Sequence, residues 1–284
     1  MRFKHIFPFF RSCFGLLDLL CPPFCSICGE VIESNPEKSI NMCPVCIKKM
    51  VTPDGHFCLR CGGRRSAVAN NFANNPNECT RCKTSNFRFK RSIALGEYAS
   101  DLRTLVLRLK TDITGILAIS AARALVVYRR ADLQHVQADY VVPVPMHPFR
   151  REDRGVNSPD LLAEELGLQL NIPVAKHFVR RMRPTNLQYT LSRQARGENV
   201  SDAFAVCTSN FWTINFWIKC WTKLGFRRFA PTLTGKNILL VDDIMTTGST
   251  CNEITKVLLA SGVQSVTVAV LARAAGENYR QSDG

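Results

Sequence analysis

Two adjacent carboxylates and a run of small, hydroxylated residues stand together at Asp242-Asp243-Ile-Met-Thr246-Thr247-Gly248-Ser249-Thr250. Thr246 to Thr250 offer four hydroxyls and a series of backbone N–H groups. Placed at a helix N-terminus, such a segment favours a phosphate twice over, through its free amides and through the helix dipole. Carboxylates repel phosphate, so Asp242 and Asp243 belong with a ligand that has phosphate at one end and hydroxyls or a bound cation at the other. A ribose 5-phosphate has that layout. The stretch lacks a GxGxxG, and Gly248 is not followed by the Lys-Ser/Thr of a P-loop.

The elements that would position these residues are readable on either side. Ile238 to Val241 is a short apolar run of the kind that forms a strand buried on both faces. Ile254, Val257 and Leu258 follow at helical spacing up to Gly262, and Val263 to Leu271 is a second β-branched run. This predicts a βαβ unit with its ligand site at the carboxyl end of the first strand. VDDIMTTGST resembles the phosphoribosyl-diphosphate (PRPP) motif of type I phosphoribosyltransferases; the plainer alternative is an ordinary helix capped by Asp243 and Thr247.

Eight of the thirteen cysteines fall in four C-x-x-C pairs: Cys25/Cys28, Cys43/Cys46, Cys58/Cys61 and Cys79/Cys82. Fourteen residues separate the first two pairs and seventeen the last two. Each pair is a knuckle that puts two thiolates on one metal, and two knuckles complete a tetrahedral four-cysteine zinc site. Gly29 and Gly62 supply the positive φ that such a turn needs. We expect two structural zinc ribbons paired in sequence order, with the interleaved pairing of Cys25/Cys28 with Cys58/Cys61 as the alternative. A redox dithiol or an iron–sulfur cluster fits four ribbon-spaced pairs less well. Cys13, Cys21, Cys207, Cys220 and Cys251 are left as ordinary thiols.

Other segments supply cations. Leu102, Leu105, Val106 and Leu109 form an amphipathic helical stripe whose cations, Arg103, Arg108 and Lys110, read most simply as a solvated face, with Lys110 contacting a phosphate as the alternative, and Ile113 to Tyr128 reads as a second helix. Tyr140 to Pro145 reads as a parallel strand ended by proline. The loop after it carries Arg150, Arg151 and Arg154, suited to gripping a diphosphate in bidentate fashion. Ser158-Pro159 starts a helix expected to close at Gly167. Lys176 to Arg196 holds six Lys/Arg and no acid, and within it Arg183 to Arg196 is read as a mobile flap over an anionic substrate, with a solvated basic loop as the plainer alternative; Gln188, Arg193 and Arg196 lie in it.

In combination, the knuckles, PVPMHPFRREDRGVN, RPTNLQYTLSRQARGENV and LLVDDIMTTGST resemble the ComF competence-protein family, including GntX-like proteins linked to use of external DNA. The resemblance spans about Leu16 to Arg273. It implies an α/β type I phosphoribosyltransferase fold, a parallel sheet flanked by helices with a flap or hood, preceded by a double zinc ribbon. Residues 1–22 would form an N-terminal helix, 23–90 the ribbons and 91–284 the transferase-like domain. By matching position, Asp242 and Asp243 would serve the catalytic centre by binding ribose hydroxyls and Mg2+. Thr246, Thr247, Gly248, Ser249 and Thr250 would hold the 5-phosphate, and Arg150, Arg151 and Arg154 would face the diphosphate. PRPP and the DNA-uptake machinery become the expected partners. One departure is the segment 208–234, within the 184–234 flap region. It holds all three tryptophans of the chain, several cations and no acid. It suits either an aromatic flap packed on the core, or contact with single-stranded DNA or a membrane surface.

Composition agrees with these ligands. Thirty-seven Lys/Arg against 23 Asp/Glu give a formal charge of +14, which suits polyanions such as phosphorylated substrates or nucleic acid. A second function class is therefore a catalytically inactive single-stranded-DNA-binding protein on the same fold. Residues 1–20 are broken by Arg11 and Asp18 and do not read as a secretion signal. Arg123 interrupts the nearest approach to a membrane span, so a cytoplasmic protein is expected.

Overall fold

The computed structural model describes residues 22–32, 40–53, 57–63, 79, 82, 85–146, 157–182, 202–207 and 233–274. At its centre lies a parallel four-stranded sheet of β1 (Arg91–Glu97), β2 (Tyr140–Pro143), β5 (Asn237–Met245) and β6 (Ser265–Arg273), in the order β1-β6-β5-β2. The long middle strands read as near-continuous apolar runs because helices cover both their faces. Period-two alternation divides the core. Ile93, Leu95, Val141, Leu239, Val241 and Leu271 face α1 (Pro44–Met50), α2 (Ser100–Leu109), α3 (Ile116–His135) and α4 (Ser158–Leu170). Ala94, Val142, Ile238, Leu240, Val268 and Val270 pack with α5 (Ser249–Ala260). A short antiparallel pair, β3 (Val179–Arg181) with β4 (Phe204–Val206), brackets residues 183–201.

Among the boundaries that differ from the sequence reading, three have a clear local reason. The strand before the anion loop does not end at Val241. It runs through both aspartates to Met245, because β6 offers a ladder partner as far as Met245↔Arg273. The second helix starts at Ile116, not Ile113. Asp112 accepts from the amides of Thr114, Gly115 and Leu117, which holds a turn there, and Gly115 takes a φ of 73°. The helix from Ser158 passes through Gly167 and ends at Asn171, which adopts the left-handed conformation with φ 57°. Gly167 serves packing instead: a Cβ there would lie 2.4 Å from Val174 Cγ2 and 2.7 Å from the Ile172 carbonyl oxygen.

Both sheet edges are occupied. The Pro173–Ala175 segment pairs along the outside of β2. Along β1 the cysteine-bearing region takes the place of a fifth strand. Ser92 N donates to Leu59 O (3.3 Å) and Thr52 N to Leu95 O (3.2 Å). The buried Arg129 of α3 donates to the carbonyls of Ala94, Leu95 and Thr52, tying strand and knuckle together. The segment packs so closely that a Cβ on Gly96 would meet the Met50 carbonyl oxygen at 1.9 Å.

Candidate functional site

The anion loop sits where the βαβ pattern places it. Thr246–Gly248 bridge the end of β5 and the start of α5, and Gly248, with φ 83°, is the residue before the helix. Thr247 Oγ1 accepts from Ser249 N (3.3 Å) and lies 2.8 Å from Ser249 Oγ, so hydroxyls line the first turn. Asp242 and Asp243 are half-buried beside it; the Asp242 carboxylate accepts from Asp243 N (2.9 Å) and the Asp243 carboxylate from Ile244 N (2.7 Å).

Their protonation is perturbed. Burial pushes the Asp242 carboxyl well above the usual range, and the charge of Asp243 adds to this; the Asp243 amide and the Arg181 guanidinium pull the other way. Burial also raises Asp243, against a hydrogen bond with Asp242 and the positive charge of Lys110. Two carboxyls held up by burial, Asp242 also by the charge of Asp243, form a site that gains from a cation or from hydroxyl donors. Arg181, on β3, and Lys110, just past α2, add positive charge to the same place.

Behind the loop lies Arg273, the last residue of β6, which is 1% exposed. Its Nη1 donates to Met245 O (2.7 Å) and to Thr246 O, and its Nε donates to Cys61 O (2.7 Å). Phe87 packs beneath Gly248, and Asn252 of α5 accepts from Arg88 N (2.6 Å). Sequence reasoning missed Arg273, Phe87 and Asn252. A cation closing an otherwise apolar strand was the available signal for Arg273; the other two carried none.

The eight cysteines gather into two groups, Cys25, Cys28, Cys43 and Cys46, and Cys58, Cys61, Cys79 and Cys82, with sulfurs within 4.8 Å of one another. Sequence-order pairing is therefore the one formed. A tetrahedral metal with bonds of about 2.3 Å to sulfur requires S–S edges of about 3.8 Å. The Sγ–Sγ separations include 3.8 Å for Cys28–Cys43, 3.6 Å for Cys58–Cys82 and 3.5 Å for Cys61–Cys79. Gly29 and Gly62 have φ values of 78° and 67°, as a knuckle requires. Burial pushes the Cys25 thiol up, but the amides of Cys28, Cys43 and Ile27 outweigh it and bring the thiol down to about 6, while burial and the neighbouring sulfurs push Cys46 up. Both groups fit zinc. The first packs on the α2–α3 side of the sheet and the second on the α5 side.

Several candidate residues lie outside the described region: Arg150, Arg151 and Arg154, the flap residues Gln188, Arg193 and Arg196, and the aromatic segment up to residue 232. Cys13, Cys21 and Cys220 do too. Cys251 is buried in α5 and Cys207 partly so.

The parallel sheet with its flanking helices has the phosphoribosyltransferase fold, and the family model "Phosphoribosyl transferase domain" matches residues 166–283. The chain is similar to competence and DNA utilization proteins. Competence protein F of Haemophilus influenzae is 29% identical over 265 residues, covering 92% of this chain and 95% of that protein. DNA utilization protein YhgH of Salmonella typhi is 27% identical over 252 residues, 88% of this chain and 89% of that one. YhgH of Escherichia coli is 28% identical over 235 residues, 82% and 90%. Among the described residues, no helix is long and apolar enough to cross a membrane.

Proposed function

We propose that this protein binds PRPP with Mg2+ at the carboxyl end of β5 and serves in uptake or use of external DNA. One observation carries the ligand reading: a half-buried pair of carboxyls with raised pKa values directly adjoins a hydroxyl-lined loop at the N-terminus of α5. Phosphate alone would not suit the acids, and a metal alone would not need the loop. The DNA role rests on the names of its relatives, competence and DNA utilization proteins.

In this reading Thr246 to Thr250 hold the 5-phosphate, and Asp242 and Asp243 orient the ribose hydroxyls. Asp242 and Asp243 would also hold Mg2+, which would supply positive charge for the diphosphate. Arg150, Arg151 and Arg154 would meet that diphosphate, and Gln188, Arg193 and Arg196 would belong to the flap over the substrate. The acids position the sugar and do not attack it; positioning and electrostatic stabilisation supply the catalysis. The two four-cysteine groups hold structural zinc, and the protein works in the cytoplasm.

Calorimetric titration of the zinc-loaded protein with PRPP and Mg2+ tests this. Binding that disappears in the Asp242→Asn, Asp243→Asn double variant supports the reading; binding unchanged in that variant overturns it. The +14 charge favours a second reading, a single-stranded-DNA binder without turnover. A steep salt dependence of single-stranded-DNA affinity that survives Asp242→Asn would support it.

A further inference from the structure

We propose that the second four-cysteine group (Cys58, Cys61, Cys79, Cys82) sets the shape of the anion loop, with Arg273 as the positioning residue that joins the two. The inference rests on the PRPP reading for its functional half and on geometry alone for its structural half.

Two arms run from this knuckle to the loop. In the first, Arg273 Nε donates to Cys61 O, the carbonyl of a proposed zinc ligand, while Nη1 of the same guanidinium donates to Met245 O and Thr246 O. A planar guanidinium cannot turn one edge without turning the other. The place of the Cys61 carbonyl therefore fixes where the last peptide of β5 and the first of the loop can lie. In the second arm, Arg60, inside the C-x-x-C turn, donates to Phe87 O (2.6 Å). The Phe87 ring is close enough to Gly248 that a Cβ there would stand 3.0 Å from Cε1. On either side of Phe87, Asn252 accepts from Arg88 N (2.6 Å) and donates to Asn86 O (3.3 Å), which clamps the first turn of α5. The knuckle itself is a tight turn, with Gly62 N donating to Cys58 O (2.8 Å) and Cys58 N to Gly63 O (2.9 Å). A metal shared with Cys79 and Cys82 would lock that turn. Its loss frees the Cys61 carbonyl and the Arg60 side chain together.

The first group has different attachments. Arg108 donates to the Ser26 and Ile27 carbonyls, and Asn41 N donates to Ser120 Oγ (3.1 Å). Met42, Cys46, Ile47 and Met50 sit in the core on the α2–α3 side. It anchors helices; the second group anchors the loop.

The test is hydrogen exchange over Thr246–Asn252, with zinc content and PRPP affinity measured on the same samples. Cys28→Ser and Cys79→Ser should each retain one zinc. Cys79→Ser should lose about tenfold in loop protection and about tenfold in PRPP affinity, the scale typical of groups that orient metal ligands, and Cys28→Ser should change neither. Arg273→Met should reproduce the Cys79→Ser loss with both zincs bound, and Arg273→Lys, which keeps a cation and donors, should restore part of it. If Cys79→Ser exposes the whole sheet, Arg60→Ala, which leaves every ligand in place, carries the test and should loosen Ser249–Asn252. Equal loop loosening in the Cys28 and Cys79 variants overturns the proposal. So does an unchanged loop in Arg273→Met and Arg60→Ala, or a loosened loop with unaltered PRPP affinity. A wild-type protein that does not bind PRPP refutes the ligand reading, and the exchange arm still decides the coupling.

Discussion

Substitution of Gly248 by alanine concentrates two costs at one atom. Gly248 has φ 83°, a left-handed conformation that costs an L-residue about 1–2 kcal/mol. The new Cβ would also stand 3.0 Å from Phe87 Cε1 and 3.5 Å from Met245 Sδ. The ring edge can give by a few tenths of an ångström, so contact adds less than strain, and a total of about 2 kcal/mol is reasonable. That total has two places to go. If the loop keeps its shape, the whole cost falls on folding and lowers Tm by roughly 4–8 °C. If the loop relaxes, Tm holds and PRPP affinity falls about 30-fold, since 1.4 kcal/mol corresponds to a factor of ten. Intermediate cases divide the cost, and the two losses should still sum to about 2 kcal/mol. Differential scanning calorimetry and PRPP titration on one preparation measure both. Phe87→Leu in the same chain removes the contact and leaves the strain, so the double variant should recover the smaller share. A Gly248→Ala protein with wild-type Tm and wild-type affinity would refute this account of the loop.

Three further outcomes are expected. Asp242 and Asp243 have raised pKa values, so the folded state keeps protons that the unfolded chain has released, and stability falls as pH rises from about 4 through the raised values. Without Mg2+, Asp242→Asn should therefore unfold at a higher temperature than wild type at about pH 7, with the gap closing on acidification; a gap that widens toward low pH contradicts the sign. Gly96→Ala forces a Cβ to within 1.9 Å of the Met50 carbonyl oxygen, so knuckle and strand must separate. Urea unfolding should show a loss of about 3 kcal/mol or more. Elemental analysis should find two zinc ions per chain and one in Cys28→Ser, whose sulfur is the exposed member of the first group.

What the sequence revealed depended on how local the signal was. Each C-x-x-C knuckle, the glycines after Cys28 and Cys61, and the strand–loop–helix around Asp242 are short-range patterns, and their residue types carry their geometry. Partnering of the knuckles is a tertiary matter. The spacing admitted two pairings, and sulfur positions chose between them. Gly167 shows the opposite error. A glycine near the end of an apolar helical stripe resembles a helix stop, yet its missing side chain makes room for Val174 and Ile172, and the stop falls to Asn171. Arg273 carried a signal as a cation closing an apolar strand, but its partner was illegible for the plainest reason: Cys61 lies 212 residues away. No windowed pattern registers a contact of that span.

The placement of the cysteines gives a physical reason for metal in a chain that already has a sizeable core. An open parallel sheet leaves the amides and carbonyls of its outer strand to be satisfied by something. In β1 those groups meet Leu59, Thr52 and Arg129, which belong to the knuckle region and to the helix that grips it. A hydrophobic flank could cover the edge, but it could not hold single carbonyls in place, because burial is non-directional. Metal–thiolate bonds are directional and fix the turns that carry them. Cys61 O and Leu59 O both project from one such turn, the first to the arginine behind the anion loop and the second to the edge of the sheet. A metal site of four cysteines is thus suited to a task that apolar packing performs poorly: holding two backbone oxygens at defined positions.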